Sequence, residues 1–299
     1  IVNPRHIEFQ ILADEHGKVI HLGERECSMQ RRHQKIIEET PSVIMDENLR
    51  RDMGECAKRI VKAAGYTNAG TVEFIVDENK KFYFLEVNTR LQVEHPITEI
   101  RTGLDLVREQ IKIANGGKLT LTQEDVNFYG HTIECRICAE DSYDNFMPSS
   151  GKITYMKSFL GSGMREDTGI EQGDEISVYY DPMISKLISY GADRTVAIEK
   201  MKRALKDYVI VGIKTNINFL LSLLECKEFV DGNYHTQFIE KEFKSRIISP
   251  DFSNEELDSA VSLAAVILKE NKNSSNRKIK MSSNGVSGNW IKKRQDTFR

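Results

Sequence analysis

The sequence predicts an α+β fold, and this prediction depends on two periodicities. Short segments in which apolar and polar residues alternate, such as residues 6–12 and 70–77, have the two-residue period of a β-strand. Longer segments with apolar residues three or four positions apart, such as residues 49–64, have the period of an amphipathic helix. The same mixture recurs after residue 131, so we expect a second α+β region there.

The first elements can be justified in chain order. Residues 6–12 alternate as a strand, residues 14–17 turn the chain, and residues 18–22 return beside it. Residues 24–35 are polar and cationic, with too few apolar side chains for a core element, so we expect a loop or an exposed strand. Residues 49–64 form a helix that ends at Gly65, and residues 98–114 form another.

The remaining elements follow from the same two periods. Further strands are expected at residues 70–77, 82–88, 131–138, 151–155, 176–179 and 183–190. Further helices are expected at residues 194–208, 215–225, 236–243 and 254–270. Residues 271–288 are rich in Ser, Asn and Lys and low in aromatic residues, which indicates a linker.

Composition excludes several classes of function. The 299 residues carry a net charge of −3 without an obviously basic face, so nucleic acid is not a favoured partner. No run approaches the roughly 18 apolar residues of a membrane span, and no signal-peptide pattern occurs, so we expect a cytoplasmic protein, or a mitochondrial-matrix protein if the source is eukaryotic. The chain starts at Ile1 in what looks like the approach to a strand, so we expect a piece of a longer polypeptide.

The five cysteines predict reduced thiols rather than a metal centre. Cys135 and Cys138 form a C-x-x-C pair, but they lie in an alternating strand pattern that would point their side chains to opposite faces. With no second pair in the sequence, zinc is disfavoured, and reduced structural thiols are the default in a cytosol-like compartment.

Residues 70–77 and the strand that starts at residue 82 are expected to pair as a hairpin. If the turn is centred between residues 79 and 80, Asp77 faces Phe82 and Glu73 lies directly opposite Glu86. Asn88 then points from the same face as Glu86, since side chains on a strand alternate. The other face of the hairpin is apolar and is expected to join a core: Val72, Phe74, Val76, Tyr83, Leu85 and Val87.

Two carboxylates in this position predict a divalent metal. Cross-strand residues have Cβ atoms roughly 4.5–5.5 Å apart, and like charges there are destabilising. A Mg²⁺ or Mn²⁺ ion would reverse that, since carboxylate and amide oxygens are hard ligands and phosphate oxygens complete the shell. An alternative is that Glu73 and Glu86 only line a solvated face of the sheet. That alternative does not explain why Arg90, Gln92 and Glu94 follow at alternating positions just after the strand. The site therefore indicates phosphoryl chemistry on a nucleotide.

Four parts of the chain resemble the biotin carboxylase family, the ATP-grasp component of the biotin-dependent carboxylases. They are His6 and residues 24–35, 86–96 and 134–141. The resemblance covers roughly residues 1–245 and implies ATP-driven activation of bicarbonate, followed by carboxylation of biotin on a carrier protein. It implies the C-terminal half of an ATP-grasp domain at residues 1–125, the biotin carboxylase C-terminal α+β domain at 126–247, and a helical extension with a polar linker at 248–299.

The resemblance also implies where the nucleotide and the metal bind. His6 matches a residue that contacts the ribose, while Gln30 and His33 match positions near the nucleotide and its phosphates. The metal ligands are the three residues already singled out, and two Mg²⁺ or Mn²⁺ sites are expected: Glu73, Glu86 and Asn88.

Bicarbonate and biotin have their own implied residues. Glu94 matches the general base that takes the bicarbonate proton, and Arg136 matches the residue that stabilises the enolate-like oxygen of biotin. Arg90 suits a planar oxyanion because two N–H donors of a guanidinium can meet two oxygens. The implied bicarbonate-binding set is Lys35, Arg90, Gln92 and the backbone of Val93.

Some of the family's apparatus is not in these 299 residues. No G-x-x-x-x-G-K-[ST] or comparable phosphate loop occurs, and residues 161–163 are expected to form a turn. We therefore expect little or no ATPase or carboxylase activity from this chain alone. No biotinylation motif occurs either, so biotin is expected on a separate carrier domain or protein. The other partners implied are a second copy of the chain, forming a homodimer, and a carboxyltransferase.

Two alternatives remain open from the sequence. The chain could be another ATP-grasp ligase of the carbamoyl-phosphate-synthase type, which would share the Glu/Glu/Asn metal hairpin. It could also be a non-catalytic assembly module, although intact metal, base and biotin positions argue against decay.

Overall fold

The computed structural model describes residues 1–159, 161–247 and four positions between 259 and 266. Residues Ile1–Ile248 form one compact unit, and Ser249–Arg299 form a second. The helix expected at 254–270 and the linker expected at 271–288 lie largely or wholly outside the described residues, so they stay predictions. The division at residues 125 and 126 likewise stays a prediction.

The framework of the first unit is an antiparallel sheet of eight strands. In chain order the strands among the described residues are β1 (Arg5–Ala13), β2 (Val19–Arg31), β3 (Gln34–Thr40), β4 (Asn68–Val76), β5 (Phe82–Asn88), β6 (His131–Cys138), β7 (Glu140–Asp141), β8 (Met147–Pro148), β9 (Gly151–Lys152), β10 (Tyr155–Lys157), β11 (Met164–Thr168), β12 (Glu175–Ile176), β13 (Met183–Gly191) and β14 (Val209–Val211). The large sheet has the order β11-β13-β6-β3-β2-β1-β4-β5, and the other strands make three two-stranded pairs.

Helices cover the two faces of this sheet. They are α1 (Glu47–Ala63), α2 (His95–Thr102), α3 (Leu106–Ala114), α4 (Arg194–Asp207), α5 (Ile217–Glu225) and α6 (Lys227–Val230), followed by a π-helical turn (Ile239–Phe243) and a 3₁₀ turn (Lys244–Arg246). The α1 and α4 helices pack on apolar side chains of β1, β4, β6 and β13. The opposite face, under α2, carries most of the charged residues discussed below. Among the described residues, no helix is long and apolar enough to cross a membrane.

The expectation of a loop or exposed strand at residues 24–35 was wrong. This stretch forms the end of β2 and the start of β3, in the interior of the large sheet. Glu24 and Arg25 have accessible fractions of 1% and 0%. They are buried because each has an ionic partner: Arg25 bonds Glu8 at 2.5 Å, and Arg50 bonds Glu24 at 2.8 Å. Charge that is paired and hydrogen-bonded can be buried without apolar residues.

The metal end of the hairpin has the predicted register, and the turn end does not. Glu73 lies opposite Glu86 in the β4–β5 pair. Towards the turn, Phe82 pairs with Val76 rather than with Asp77. The difference arises from a bulge that falls between the 73/86 and 74/84 pairs. A bulge inserts one extra residue into a strand and shifts every pairing beyond it by one.

The bulge also changes which side chains of β5 reach the core. Tyr83 and Leu85 were expected in the core, yet they are 39% and 50% exposed. Phe82 takes that place, with its ring 5.6 Å from the ring of Phe74. In this hairpin β4 is largely buried, whereas β5 is mostly exposed because it is the edge strand of the sheet.

Residues 98–114 form two helices instead of one. The α2 helix begins at His95 and ends before Gly103, which has a left-handed φ of 72° that glycine adopts without strain. The α3 helix starts afresh, capped by the Asp105 carboxylate, which accepts a hydrogen bond from the backbone N–H of Arg108 at 2.8 Å. The break leaves α2 short and places its first turn beside the end of β5.

Candidate active site

A cavity of about 660 Å³ opens on the polar face of the sheet, beside the end of β5. Its walls come from β1, β2, β3, β4, β5 and β6, and from the segment that leads into α2. Every site residue predicted from the sequence lines it: His6, Gln30, His33, Lys35, Glu73, Glu86, Asn88, Arg90, Gln92, Val93, Glu94 and Arg136. The structure thus brings together residues that are up to 130 positions apart in the chain.

Lys35 is the electrostatic centre of this cavity. Its ammonium group donates to Glu8 at 2.5 Å, Glu94 at 2.6 Å and Glu73 at 3.1 Å. Burial alone would lower the pKa of Lys35, but the surrounding carboxylates raise it above its usual range. Burial likewise opposes ionisation of Glu8, yet Lys35 and Arg25 bring the pKa of Glu8 down to about 2. The lysine is therefore a fixed cation shared by three anions.

Arg25 fixes the loop in which bicarbonate-binding residues are predicted. Its guanidinium is fully buried and donates to Glu8, Gln10 and Gln92, the last at 2.7 Å. The Gln92 side-chain amide in turn donates to Glu73 at 2.7 Å. Both ends of the Gln92 amide are thus used within the protein, which indicates that this side chain orients the loop.

Glu94 lies between two cations. One carboxylate oxygen accepts from Lys35, and the other accepts from Arg136 at 3.0 Å. Arg136 also donates to Glu38 through Nε at 2.6 Å. The backbone carbonyl of Val93 accepts from Lys186 at 2.7 Å, so the residue before Glu94 is also held.

Arg90 differs from the other cations of the cavity. It is exposed, and its guanidinium makes two long contacts of 3.4 Å, to the Leu91 carbonyl and to Asn88 Oδ1. An arginine with loosely held N–H donors at the mouth of a cavity can rearrange to meet an incoming anion.

The three proposed metal ligands converge on one another. Asn88 Nδ2 lies 3.1 Å from Glu73 Oε1 and 3.2 Å from Glu86 Oε1. Rotating the Asn88 amide by half a turn would present its Oδ1 beside the two carboxylates. The donor set would then consist of hard oxygens, which fits Mg²⁺ or Mn²⁺. A second arrangement, His6 with Glu8 and Glu73, has ligand atoms within 4.8 Å of one another, but both oxygens of Glu8 already bond cations, Arg25 and Lys35.

The three residues expected near the nucleotide sit along one wall. His6 Nε2 is 2.7 Å from Glu73 Oε2, and its Nδ1 is 2.7 Å from Gln30 Nε2. His33 is exposed in the two-residue turn between β2 and β3, where its φ is 64°. The hydrogen bond from His6 and the charge of Lys35 outweigh burial and lower the pKa of Glu73.

Sequence reasoning missed four residues that build this site. Glu8, Arg25, Glu38 and Lys186 supply the partners that hold the predicted residues. For Glu8 a signal existed, since it shares a strand face with His6. For Glu38 and Lys186 the signal appears only once β3, β6 and β13 are placed side by side.

Two protein-family models match the chain. Residues 1–122 match the ATP-binding domain of the carbamoyl-phosphate synthase L chain, and residues 134–241 match the biotin carboxylase C-terminal domain. The two matched regions together include every predicted site residue.

Similar proteins carry the same two regions. Biotin carboxylase 1 of Bacillus subtilis is 54% identical over 237 residues, which cover 79% of this chain and 53% of that protein. The mitochondrial propionyl-CoA carboxylase alpha chain of Homo sapiens is 49% identical over 269 residues, covering 88% of this chain and 37% of that protein. The chain thus spans about half the length of the first of these curated relatives and less of the second.

A solved structure has the same fold. The biotin carboxylase domain of the Hydrogenobacter thermophilus 2-oxoglutarate carboxylase, a dimer in complex with MgADP, ADP and bicarbonate, superposes with a TM-score of 0.81 at 45% identity. The match covers 84% of this chain and 55% of that one.

Proposed function

This chain belongs to the biotin carboxylase family, and we propose that it takes part in the ATP- and bicarbonate-dependent carboxylation of biotin on a carrier protein. The observation that carries the proposal is the placement of Glu94. Its carboxylate lies in the cavity between Lys35 and Arg136, with the loosely held Arg90 lining the same space. A base beside a cationic anion site and a second arginine is the equipment that this reaction requires.

Bicarbonate would bind at the Arg90 side of the cavity. The Arg90 guanidinium can meet two oxygens of a planar anion, and the Lys35 ammonium adds positive charge from the floor. Glu94 would then accept the bicarbonate proton, since a base must lie within hydrogen-bond reach of the proton it removes. Gln92 and Val93 would keep this loop in place through Arg25 and Lys186.

Biotin would bind at the Arg136 side. When the ureido N–H of biotin loses its proton, negative charge develops on the ureido oxygen, and a guanidinium beside it stabilises that charge. Glu38 Oε1 holds Arg136 through Nε and lies 2.5 Å from Nη2, which also donates to Glu94, so Nη1 would be the donor left for the ureido oxygen.

The nucleotide and metal would occupy the remaining wall. His6, Gln30 and His33 would line the nucleotide site. The metal ligands would be Glu73, Glu86 and Asn88, with Mg²⁺ or Mn²⁺ and room for a second ion among the phosphates. When bound, the metal would neutralise phosphate charge during phosphoryl transfer. The Hydrogenobacter relative in complex with MgADP and bicarbonate supports this assignment.

The partners would be a biotin carrier, a carboxyltransferase and a second copy of the chain. The dimeric Hydrogenobacter structure supports the last of these. We also keep the division into residues 1–125, 126–247 and 248–299 as part of the proposal. The final acceptor of the carboxyl group would be set by the carboxyltransferase and not by this site.

Binding measurements on the chain test the proposal. Titration calorimetry with free biotin and with bicarbonate should detect both ligands. Arg136→Gln should weaken biotin binding by about tenfold or more, equivalent to about 1.4 kcal/mol, while bicarbonate binding changes little. Arg90→Gln should weaken bicarbonate binding by about tenfold or more, while biotin binding changes little. The exposed Arg51→Gln serves as a matched control, and absence of biotin binding by the unsubstituted chain would contradict the proposal.

A second candidate function is favoured by one observation. The model matched by residues 1–122 is named for carbamoyl-phosphate synthase, so another ATP-grasp ligase that uses bicarbonate would share the metal hairpin. Bicarbonate binding without any biotin binding would favour that ligase. In either case we expect little bicarbonate-dependent ATP cleavage by the chain alone, because its sequence has no phosphate loop.

A further inference from the structure

Two buried carboxyl groups lie directly opposite each other behind Arg136. In the β3–β6 pair, Glu38 is the cross-strand partner of Glu134, and both have an accessible fraction of 0%. Directly opposed residues have Cβ atoms about 4.5–5.5 Å apart, so the two carboxyl groups are neighbours on the same face. This pair is separate from the ligands proposed for metal, nucleotide and bicarbonate.

The hydrogen bonds of these carboxyl groups are incomplete. Glu38 Oε1 accepts from Arg136, but Glu38 Oε2 has no partner among the described residues. Within the same part of the chain, neither oxygen of Glu134 has one. A buried ionised carboxylate without hydrogen bonds costs several kcal/mol, which makes two ionised groups side by side unfavourable. A proton between the two carboxyls would satisfy one oxygen of each.

The charged groups around Glu134 do not supply a second cation. From its own strand comes Arg136, which is already shared between Glu38 and Glu94. From β13 comes Lys186, whose ammonium donates to the Val93 carbonyl and lies 3.3 Å from Asp167. The nearby positive charge on the described strands is thus committed to other groups.

The α2 helix, which packs over this face and is described in full, brings no cation into hydrogen-bond contact with Glu38 or Glu134, although Arg101 Nε has no partner among the described residues. Its ionisable side chains bond elsewhere: His95 lies 2.8 Å from the Gln92 carbonyl, Glu99 accepts from Arg165, and Arg101 donates to Thr40. Burial, followed by the charge of Glu38, raises the pKa of Glu134 well above its usual range. Burial also raises the pKa of Glu38 to about 7 despite Arg136.

We propose that Glu38 and Glu134 hold one proton between them, that Glu134 is the protonated member and donates to Glu38, and that this proton positions Arg136 for biotin. Glu134 is thus a positioning residue that acts through Glu38. With one proton present, Glu38 is a single anion that anchors Arg136 through Nε and Nη2. With none, two buried anions draw the guanidinium towards the sheet and away from Glu94. The role of Arg136 towards biotin rests on the proposed function, whereas the shared proton does not.

Infrared spectroscopy tests the proton directly. A protonated carboxyl has a carbonyl stretch that is distinct from the bands of a carboxylate, so the chain at neutral pH should show it. Glu134→Gln should remove this band, and Glu38→Gln should shift it because the hydrogen-bond acceptor changes from carboxylate to amide. Glu39→Gln is the matched control: Glu39 lies on the same strand and is equally buried, yet hydrogen bonds and nearby cations outweigh burial and lower its pKa to about 2.

The outcomes are decisive without any activity. Loss of the band in Glu134→Gln, with retention in Glu39→Gln, supports the pair. A spectrum that neither Glu134→Gln nor Glu38→Gln alters would overturn it. If Glu134→Gln does not fold, as judged by circular dichroism, a shifted or unshifted band in Glu38→Gln decides the question alone.

The pH dependence of biotin binding tests the positioning role. The affinity for biotin should fall by about fivefold or more as alkaline pH removes the shared proton. A fivefold change is the lower end of the coupling usually found between two sites. Glu134→Gln imitates the protonated carboxyl, so it should keep neutral-pH affinity and lose this alkaline decline. Glu134→Leu, which cannot donate to Glu38, should bind biotin weakly already at neutral pH. If biotin affinity still falls at alkaline pH in Glu134→Gln, the positioning role is refuted. If neither the unsubstituted chain nor any variant binds biotin, the proposed function is refuted, and the infrared result alone decides whether Glu38 and Glu134 share a proton.

Discussion

Replacement of Arg25 by methionine should destabilise the protein more than any exposed substitution, because this guanidinium is completely buried and fully used. Its three nitrogens donate to Glu8, Gln10, Thr98, Thr71 and Gln92, at distances from 2.5 to 3.1 Å. A guanidinium has five N–H donors, so all of them have an acceptor.

The expected magnitude follows from what methionine leaves behind. Glu8 remains buried and ionised with Lys35 as its remaining cation, and removal of one member of a buried ion pair typically costs about 3–5 kcal/mol. That is a large share of the roughly 5–15 kcal/mol by which domains are stable. Arg25→Lys keeps the charge but offers three donors in place of five, so it loses two hydrogen bonds at about 1 kcal/mol each.

Urea denaturation followed by circular dichroism measures these differences. The free energy of unfolding should decrease in the order unsubstituted chain, Arg25→Lys, Arg25→Met. Arg51→Met is the control, because Arg51 is mostly exposed and pairs with exposed Asp52, and such pairs contribute about 0–1 kcal/mol. A loss below about 1 kcal/mol for Arg25→Met would refute the view that buried ion pairs hold this face together.

Three further predictions concern pH, catalysis and metal. Burial alone would raise the pKa of Glu39, but hydrogen bonds from His131 and Arg194 lower it from 4.5 to about 2. The ionised carboxylate therefore stabilises the folded chain above pH 4.5, and this stabilisation is lost as the pH falls towards 2. Urea unfolding at a series of pH values should show that acid limb, worth about 3 kcal/mol, and an equally steep limb in Glu39→Gln would contradict the assignment. In an active assembly, Glu94→Gln should lower the rate of bicarbonate-dependent biotin carboxylation by about 10²–10⁴-fold and leave nucleotide affinity unchanged. A comparable loss of rate and of nucleotide affinity would argue against a role of Glu94 as the base. Glu86→Gln should weaken Mn²⁺ binding, followed by electron paramagnetic resonance, whereas the exposed Glu47→Gln should not; equal affinities would exclude the hairpin as the metal site.

The predicted metal end of the site follows from one short hairpin, whereas the other predicted site residues were expected from the family resemblance. The pairing of Glu73 with Glu86 follows from two strands and a tight turn, so an error at the turn end did not alter it. The bulge that exposes Leu85 could not be predicted, because nothing in the sequence of this short aromatic strand marks its position. The break at Gly103 was equally hard to see, since apolar residues continue with helical spacing on both sides of it.

The partners of the site were not predictable from local pattern. Glu38, Glu134 and Lys186 meet because β3, β6 and β13 pair across long stretches of chain, and nothing in the sequence near Glu38 indicates Glu134. The burial of residues 24–26 was predicted wrongly for a related reason. Charged residues normally indicate exposure, and only the long-range partners Arg50 and Glu8 make their burial favourable.

The shared cations explain how the proposed site could serve as both an anion trap and a proton acceptor. The Lys35 ammonium has three N–H donors and lies against Glu8, Glu73 and Glu94. An anion that enters beside Arg90 can take the N–H that now bonds Glu94, and its own negative charge disfavours the ionised form of Glu94. Electrostatic competition of this kind is strong in a buried site because screening by water is weak. In the proposed reaction, arrival of bicarbonate would therefore free the Glu94 carboxylate to take a proton at the moment when the proton donor is in place.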